Sequence, residues 1–273
     1  MENIDYKGMS NYFTTSPATL KRWKESKPHK FEFMLEEFLE SKTKAVLPEN
    51  QTKIITVMNF KGGVGKSTIG SAICSYLGEG EAVILNLDIS QPSAESNSCD
   101  TVDYSTLINK KTIKEIISKL SETYRYIIVD TPGEVMPETL EILQLSSRVV
   151  IPMTIGKKSR VGTISTLNGF FSEESVLKGT YDVYFLFNMI PDKKKRKKAT
   201  EKFLEAYNED FIKSPDITVN SSLGSLDFSN AIETAEEEDK SIFTLARENR
   251  LAYQSILKKI NNTCMMIEKH LKL

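Results

Sequence analysis

The sequence predicts an α/β protein: a doubly wound, mostly parallel sheet flanked by helices, with a small helical N-terminal extension. Three observations predict it. From about Lys53 onward, short runs rich in β-branched and aromatic residues alternate with helical patterns. Those runs are apolar almost throughout, as strands covered on both faces are. One glycine-rich turn stands between a predicted strand and a predicted helix, where doubly wound sheets place their binding loops.

The strands are read at KIITVMN (53–59), AVILNLD (82–88), RYIIVD (125–130), RVVIPM (148–153) and DVYFLFN (182–188). DITVN (216–220) is a candidate for one more. Between the first two, Ile69, Ala72, Ile73, Tyr76 and Leu77 fall on one helical face, and Gly78 and Gly80 stop that helix. Ile113, Ile116, Ile117 and Leu120 repeat the spacing. The last stretch of the chain reads as a helix with Leu251, Ile256, Ile260, Ile267 and Leu271 on one side. There is no internal repeat. The first 45 residues hold the only tryptophan and no strand pattern, and AVLPENQTK (45–53) reads as a linker. The expected organisation is a helical arm over 1–48 and one α/β domain over 49–273.

A chain of 273 residues has room for one large α/β domain and a small appendage. Its net charge of −1 supplies no general field for nucleic acid, so such an affinity must come from a local patch. Cys74, Cys99 and Cys264 are far apart in sequence and lack C-x-x-C spacing. They fit reduced thiols better than a disulfide framework or a metal site. MENIDYKGMS has no apolar signal core, and no run approaches the roughly 18 apolar residues of a membrane span. The expected location is the cytoplasm, with no membrane partner.

The glycine-rich turn reads MNFKGGVGKST over 58–68. Gly62, Gly63 and Gly65 let backbone amides curl around phosphate oxygens, Lys66 can reach the β and γ phosphates, and Ser67 can ligate Mg²⁺. The helix that opens at this point adds its dipole. The usual G-x-x-x-x-G-K-[ST] pattern fails at its first glycine, which is Phe60 here. In its place the loop opens with a second lysine, Lys61.

KGGVGKST resembles the deviant Walker A motif of the ParA/MinD family of ATPases, most of all the ParA-type plasmid and chromosome partition proteins, and the order of strands and helices over 53–250 is similar too. The resemblance implies that Lys61, Gly62, Gly63, Val64, Gly65, Lys66, Ser67 and Thr68 bind ATP. Lys66 would serve its own subunit's nucleotide, and Lys61 would reach across a homodimer onto the partner's. A positive charge on phosphates buried between two subunits exists only in the ATP-bound sandwich, so it makes dimerisation depend on nucleotide.

Two acids close predicted strands, Asp88 and Asp130. An ionised carboxylate there needs a cation or donors. The resemblance assigns Asp130 to Walker B, near the Mg²⁺ shell, and Asp88 to the second acid of a D-x-D-P-Q element that orients the hydrolytic water. Ser67, Asp88 and Asp130 are thus the metal candidates, and Lys61, Lys66, Asp88 and Asp130 the catalytic ones. The sequence departs from that element in having Asn86 at the first acid and ISQPSAES after Asp88. Slow, partner-stimulated hydrolysis is the expectation. No N-K-x-D guanine motif is present. Asn188 ends a strand where relatives place a residue against adenine, and a plain strand-end cap is the alternative.

Basic segments raise the question of DNA. DKKKRKK (192–198) puts six positive residues in a row after a strand, and reads as a solvated loop or as a contact with DNA phosphates. GKKSR (156–160) stands where relatives form part of the dimer face, so Lys157, Lys158 and Arg160 approach the partner's nucleotide or are ordinary surface residues. Arg247, Arg250, Lys258, Lys259, Lys269 and Lys272 enrich the C-terminal region in positive charge. In the arm, YFTTSPATLKRWK resembles the turn and second helix of a helix-turn-helix, with Ser16 capping and Pro17 at the first helical position. Leu20 and Trp23 would pack inward while Thr19, Lys21, Arg22 and Lys24 face DNA. FEFMLEEFL (31–39) would be the supporting helix, and a small arm for dimer packing is the alternative.

The function so implied is a partition ATPase. Its ATP-bound dimer binds nucleoid DNA non-specifically, and a ParB-like centromere-binding partner triggers hydrolysis and release. The alternatives are a MinD-like membrane-cycling ATPase and a nucleotide-regulated repressor acting through the N-terminal arm. The first of these needs an amphipathic C-terminal helix able to insert in a bilayer, and INNTCMMIEKHLKL reads better as a core-packing helix. The paired cluster cysteines of the nitrogenase iron protein and the C-terminal tyrosine cluster of the related bacterial tyrosine kinases have no match here.

Overall fold

A computed structural model describes residues 16–26, 52–78, 80–88, 99–107, 112–134, 136–172, 177–190, 193–227 and 250–273. The chain divides into two compact units, Met1–Val46 and Leu47–Leu273.

In the first unit the described element is helix α1 (Pro17–Ser26). Its N-terminus forms as its sequence dictates. The Ser16 hydroxyl accepts the Thr19 amide at 3.1 Å, and Pro17 takes the first position, where no amide is needed. Leu20 is buried, and Lys21, Arg22 and Lys24 are exposed. The side chain of Trp23 and the expected helix over 31–39 lie outside the described residues, as do the linker up to residue 51, ISQPSAES and Arg247.

Among the described residues the second unit has seven parallel strands: β1 (Lys53–Val57), β2 (Ala82–Asn86), β3 (Asp100–Asp103), β4 (Tyr126–Asp130), β5 (Arg148–Met153), β6 (Gly179–Ile190) and β7 (Ile217–Asp227). Their order across the sheet is β3-β2-β4-β1-β5-β6-β7. The helices are α2 (Lys66–Leu77), α3 (Ile113–Ser121), α4 (Pro137–Leu145), α5 (Lys157–Phe171), α6 (Lys193–Asp210) and α7 (Arg250–Leu271). Central strands alternate between the two faces with period two. Ile55, Val57, Ile84, Ile128, Val150 and Leu186 pack with α2 and α7 on one face. Val83, Leu85, Ile127 and Val129 pack under Ile113, Ile116 and Ile117 of α3 on the other, and Val149, Ile151 and Phe185 under Ile164, Leu167 and Phe203 of α5 and α6. Apolar runs without polar alternation are the signature of this double coverage.

The helices expected within the described residues form, and α2 stops before Gly78, whose φ of 112° only glycine adopts without strain. Helix α3 starts on a capping box: Thr112 accepts the Glu115 amide, and Glu115 accepts the Thr112 amide. Four elements differ from the sequence reading. Edge strand β3 has only four residues and is half-exposed, so it carries no apolar run. Strands β6 and β7 are longer than expected because they pair along their whole length. DKKKRKK is not a loop: Lys193 opens α6, whose first turn has no acid.

Candidate nucleotide-binding site

Strands β1, β2 and β4 lie side by side, so their carboxyl ends bring distant residues together. The loop after β1 delivers Lys66 and Ser67, β4 ends in Asp130, and Asp88 follows β2 by two residues. The loop turns on Gly63 (φ 69°) and Gly65 (φ 86°), both left-handed, before α2 begins at Lys66. At Gly65 space matters as much as φ. A Cβ there would stand 2.4 Å from Nδ2 of Asn188, which donates to the Val64 carbonyl at 3.1 Å.

Asn188 owes that aim to a break in strand register between Phe187 and Ile190, where Met189 takes a φ of 56°. Bulges of this kind re-aim side chains beside binding sites. The Asn188 Oδ1 in turn accepts the Met189 amide at 2.9 Å. Its contacts are therefore with the phosphate loop and its own strand.

The electrostatics centre on Asp130. It is only 5% exposed, and its Oδ1 is buried without a hydrogen-bond partner. Burial pushes its carboxyl up to about 6, against the pull of a Ser67 hydrogen bond and the Lys66 charge. Burial holds the Lys66 ammonium below its ordinary value, while Asp130 and Asp88 act to raise it. Lys66, Ser67, Asp88 and Asp130 thus form one interacting group. An orphaned carboxylate oxygen beside a serine hydroxyl and a second acid is a donor set suited to a hard divalent cation.

Asn86 explains one departure from the expected acidic element. It faces Asp130 across one strand pair and Asp103 across the other. Its Nδ2 donates to Asp103 Oδ1 at 2.8 Å, and its carbonyl oxygen accepts the Asp88 amide at 2.9 Å. A carboxylate at 86 could accept that amide, but it would oppose both neighbouring acids. The amide does both tasks without adding charge.

A second constellation escaped the sequence reading. Asn59, fully buried, donates from Nδ2 to the Pro152 carbonyl (2.8 Å) and to Thr163 Oγ1 (2.9 Å), and accepts the Lys61 amide at 2.8 Å. Thr166 accepts the Phe60 amide at 2.8 Å. Two threonines at i, i+3 in a helix, Thr163 and Thr166, were the available signal, because a helical hydroxyl that bonds back to its own helix can still accept from a neighbouring segment.

The thiols also meet in space. Cys99 Sγ lies 3.7 Å from the Ser71 carbonyl and 3.3 Å from Ser75 Oγ, and it hydrogen-bonds the Cys74 thiol, which contact and burial together push far up. All three cysteines are free.

No protein-family model matches the sequence, and no curated protein matches it. Solved structures do. A ParA family ATPase from Chlorobium tepidum aligns with a TM-score of 0.53 at 14% identity, over 79% of this chain and 98% of that one. A variant of McdA from Cyanothece, solved in complex with ATP, aligns at 0.51 and 14%, over 82% and 97%. The MinC:MinD cell division complex of Aquifex aeolicus aligns at 0.52 and 15%, over 80% and 96%. The seven-stranded parallel sheet, the loop after its central strand and these likenesses agree: the fold of this chain is that of the ParA- and MinD-type P-loop ATPases.

Proposed function

We propose that this chain is a ParA-type partition ATPase of the ParA/MinD family, binding ATP with Mg²⁺ in a sandwich homodimer that holds DNA non-specifically. The observation that carries the proposal is the convergence of Lys66, Ser67, Asp88 and Asp130, whose Oδ1 has no partner, beneath a loop that also presents Lys61. In this reading residues 61–68 hold the nucleotide, Lys66 and the α2 N-terminus meet its phosphates, and Asn188 acts by bracing the loop at Val64. Ser67, Asp88 and Asp130 would hold the cation, which offsets phosphate charge and the buried carboxylate. Asp88, half-buried at the rim, orients the attacking water. Exposed Lys61 reaches the partner's nucleotide.

The DNA surface we assign is the start of α6. Lys194, Lys195, Lys197 and Lys198 are exposed there, at the positive end of the helix dipole. Helix termini of that sign favour acids, so a cluster of lysines is unfavourable unless an anion answers it. DNA phosphates are such an anion, and two copies in a dimer would double the field. A ParB-like, centromere-bound partner would stimulate hydrolysis and release the dimer.

The membrane-cycling alternative finds little support. The helix considered for insertion is α7, and its Ile260, Cys264, Ile267 and Leu271 are core residues. Among the described residues no helix is long and apolar enough to cross a membrane. The repressor reading is favoured by α1, which exposes Lys21, Arg22 and Lys24.

Binding to random-sequence duplex DNA tests these readings, measured with Mg²⁺-ATP, with ADP and without nucleotide, beside Lys61→Ala. Binding only with ATP, lost in Lys61→Ala, is expected. Absence of binding in every state would sink the DNA-coating reading. Binding independent of nucleotide would transfer the DNA contact to the arm.

A further inference from the structure

We infer that helix α5 sets the pose of Lys61: Thr166 and Asn59 are positioning residues that clamp the backbone of Phe60 and Lys61 against Gly162. The inference deepens the proposed function, since it rests on the reading of Lys61 as the residue that answers the partner's nucleotide.

Amides of a phosphate loop ordinarily point at the anion. The first two here do not. The Phe60 amide donates to Thr166 Oγ1 and the Lys61 amide to Asn59 Oδ1, each at 2.8 Å. Thr166 passes its own proton to the Gly162 carbonyl at 2.8 Å, so its hydroxyl links loop and helix in one chain. Asn59 is held from its other end by Pro152 and Thr163. Asn59, Thr163 and Thr166 are all fully buried, and a buried polar network with its partners in place is rigid.

Gly162 shows how close the helix comes. A Cβ there would sit 3.0 Å from the Lys61 Cβ and 3.8 Å from Asn59 Oδ1. Any larger residue pushes on Lys61 itself. The Lys61 backbone is therefore locked from below while its side chain stays exposed. The helix that locks it opens with exposed Lys157 and Lys158, on the surface where the proposed dimer forms. Lysine and helix move as one piece, so dimer contacts on α5 and the charge on Lys61 are coupled by construction.

The test uses the full chain and three variants. Thr166→Val keeps the side-chain shape and removes the acceptor, Thr166→Ser restores it, and Gly162→Ala leaves every hydrogen bond but pushes on Lys61. Three quantities are measured: amide exchange at Phe60, ATP affinity at a concentration where the chain is monomeric, and the dimer constant with Mg²⁺-ATP from sedimentation. Thr166→Val should speed Phe60 exchange and weaken the dimer by about tenfold each, the factor expected for one hydrogen bond. Its ATP affinity should stay within about twofold, and Thr166→Ser should recover both losses. A Thr166→Val chain that dimerises like the wild type overturns the inference while leaving the role of Lys61 standing. Should that variant fail to fold, Gly162→Ala decides, and wild-type dimerisation by it overturns the inference equally. A wild-type chain that stays monomeric with ATP, with Phe60 still protected, overturns the reading of Lys61 and with it the positioning role.

Discussion

The two ends of this sheet treat charge in opposite ways. At the amino ends of the strands, charged groups find their answer inside the chain. Lys53 Nζ donates to the Lys272 carbonyl and Arg148 Nε to the Leu271 carbonyl, both at 2.9 Å. The Lys272 ammonium lies 3.3 Å from Asp182. Burial acts to raise the Asp182 carboxyl, yet hydrogen bonds from Asn220 and Lys272 hold it below its ordinary value. At the carboxyl ends, burial pushes Asp130 up to about 6 and leaves one oxygen without a partner. Charges that serve the fold are closed locally. A buried charge left open is the mark of a site that a ligand completes.

The strongest way to break this contrast is Asp130→Asn. A carboxyl whose native value lies above its unfolded one stabilises the fold fully below about pH 4, and that contribution fades between pH 4 and 6. At pH 7.5 the ionised group opposes folding, so Asp130→Asn should raise the unfolding free energy of the nucleotide-free chain by on the order of 1–3 kcal/mol. The same change should weaken Mg²⁺-dependent ATP binding roughly 10- to 100-fold. Calorimetry and a fluorescent-nucleotide titration read the two effects. A variant that loses both stability and affinity would mean that Asp130 is structural. In the wild type, Mg²⁺ affinity should rise with pH through about 6 as the proton leaves Asp130.

Asn86→Asp should come next. It removes the donor to Asp103 and sets a third carboxylate between two others. The expected cost at neutral pH is about 1–3 kcal/mol in thermal or denaturant unfolding. The deficit should shrink below about pH 5, where the new acid takes up a proton. If the variant is as stable as the wild type and hydrolyses ATP faster, the amide at 86 exists to slow turnover and not to separate charges.

How much of this was legible beforehand depends on range. Strands β1, β2, β4 and β5 were readable because burial on both faces leaves an unbroken apolar run, and the phosphate loop because φ and charge demand fixed residue types within it. Edge strand β3 has no such run. The start of α6 was unreadable as helix because six like charges argue against one, and the residues that hold it to the core, among them Ala199, Phe203 and Tyr207, come further along. At the site, Lys66 and Ser67 declared themselves by the glycine-rich loop pattern, and Asp88 and Asp130 by strand-end position. Asn59, Gly162, Thr163 and Thr166 did not, since their meaning lies in contacts about a hundred residues apart in sequence. Gly224 is similar: a Cβ there would collide with the buried hydroxyl of Tyr184 on the neighbouring strand, which no local pattern announces.

The smallest effect sharpens the contrast most. Helix α2 touches both ends of the sheet: its first turn holds Lys66 and Ser67, and from its last turn the Tyr76 hydroxyl donates to Glu268 of α7 at 2.8 Å. Tyr76→Phe deletes that bond and nothing else, at an expected cost of about 0.5–1.5 kcal/mol of stability. ATP affinity should not change, because the buried face of α2, with Ile69, Ile73 and Cys74, fixes the helix against the sheet independently of its last turn. Should affinity fall in step with stability, the two ends would be coupled along α2. The tie between Tyr76 and Glu268 would then belong to the nucleotide site as well as to the fold.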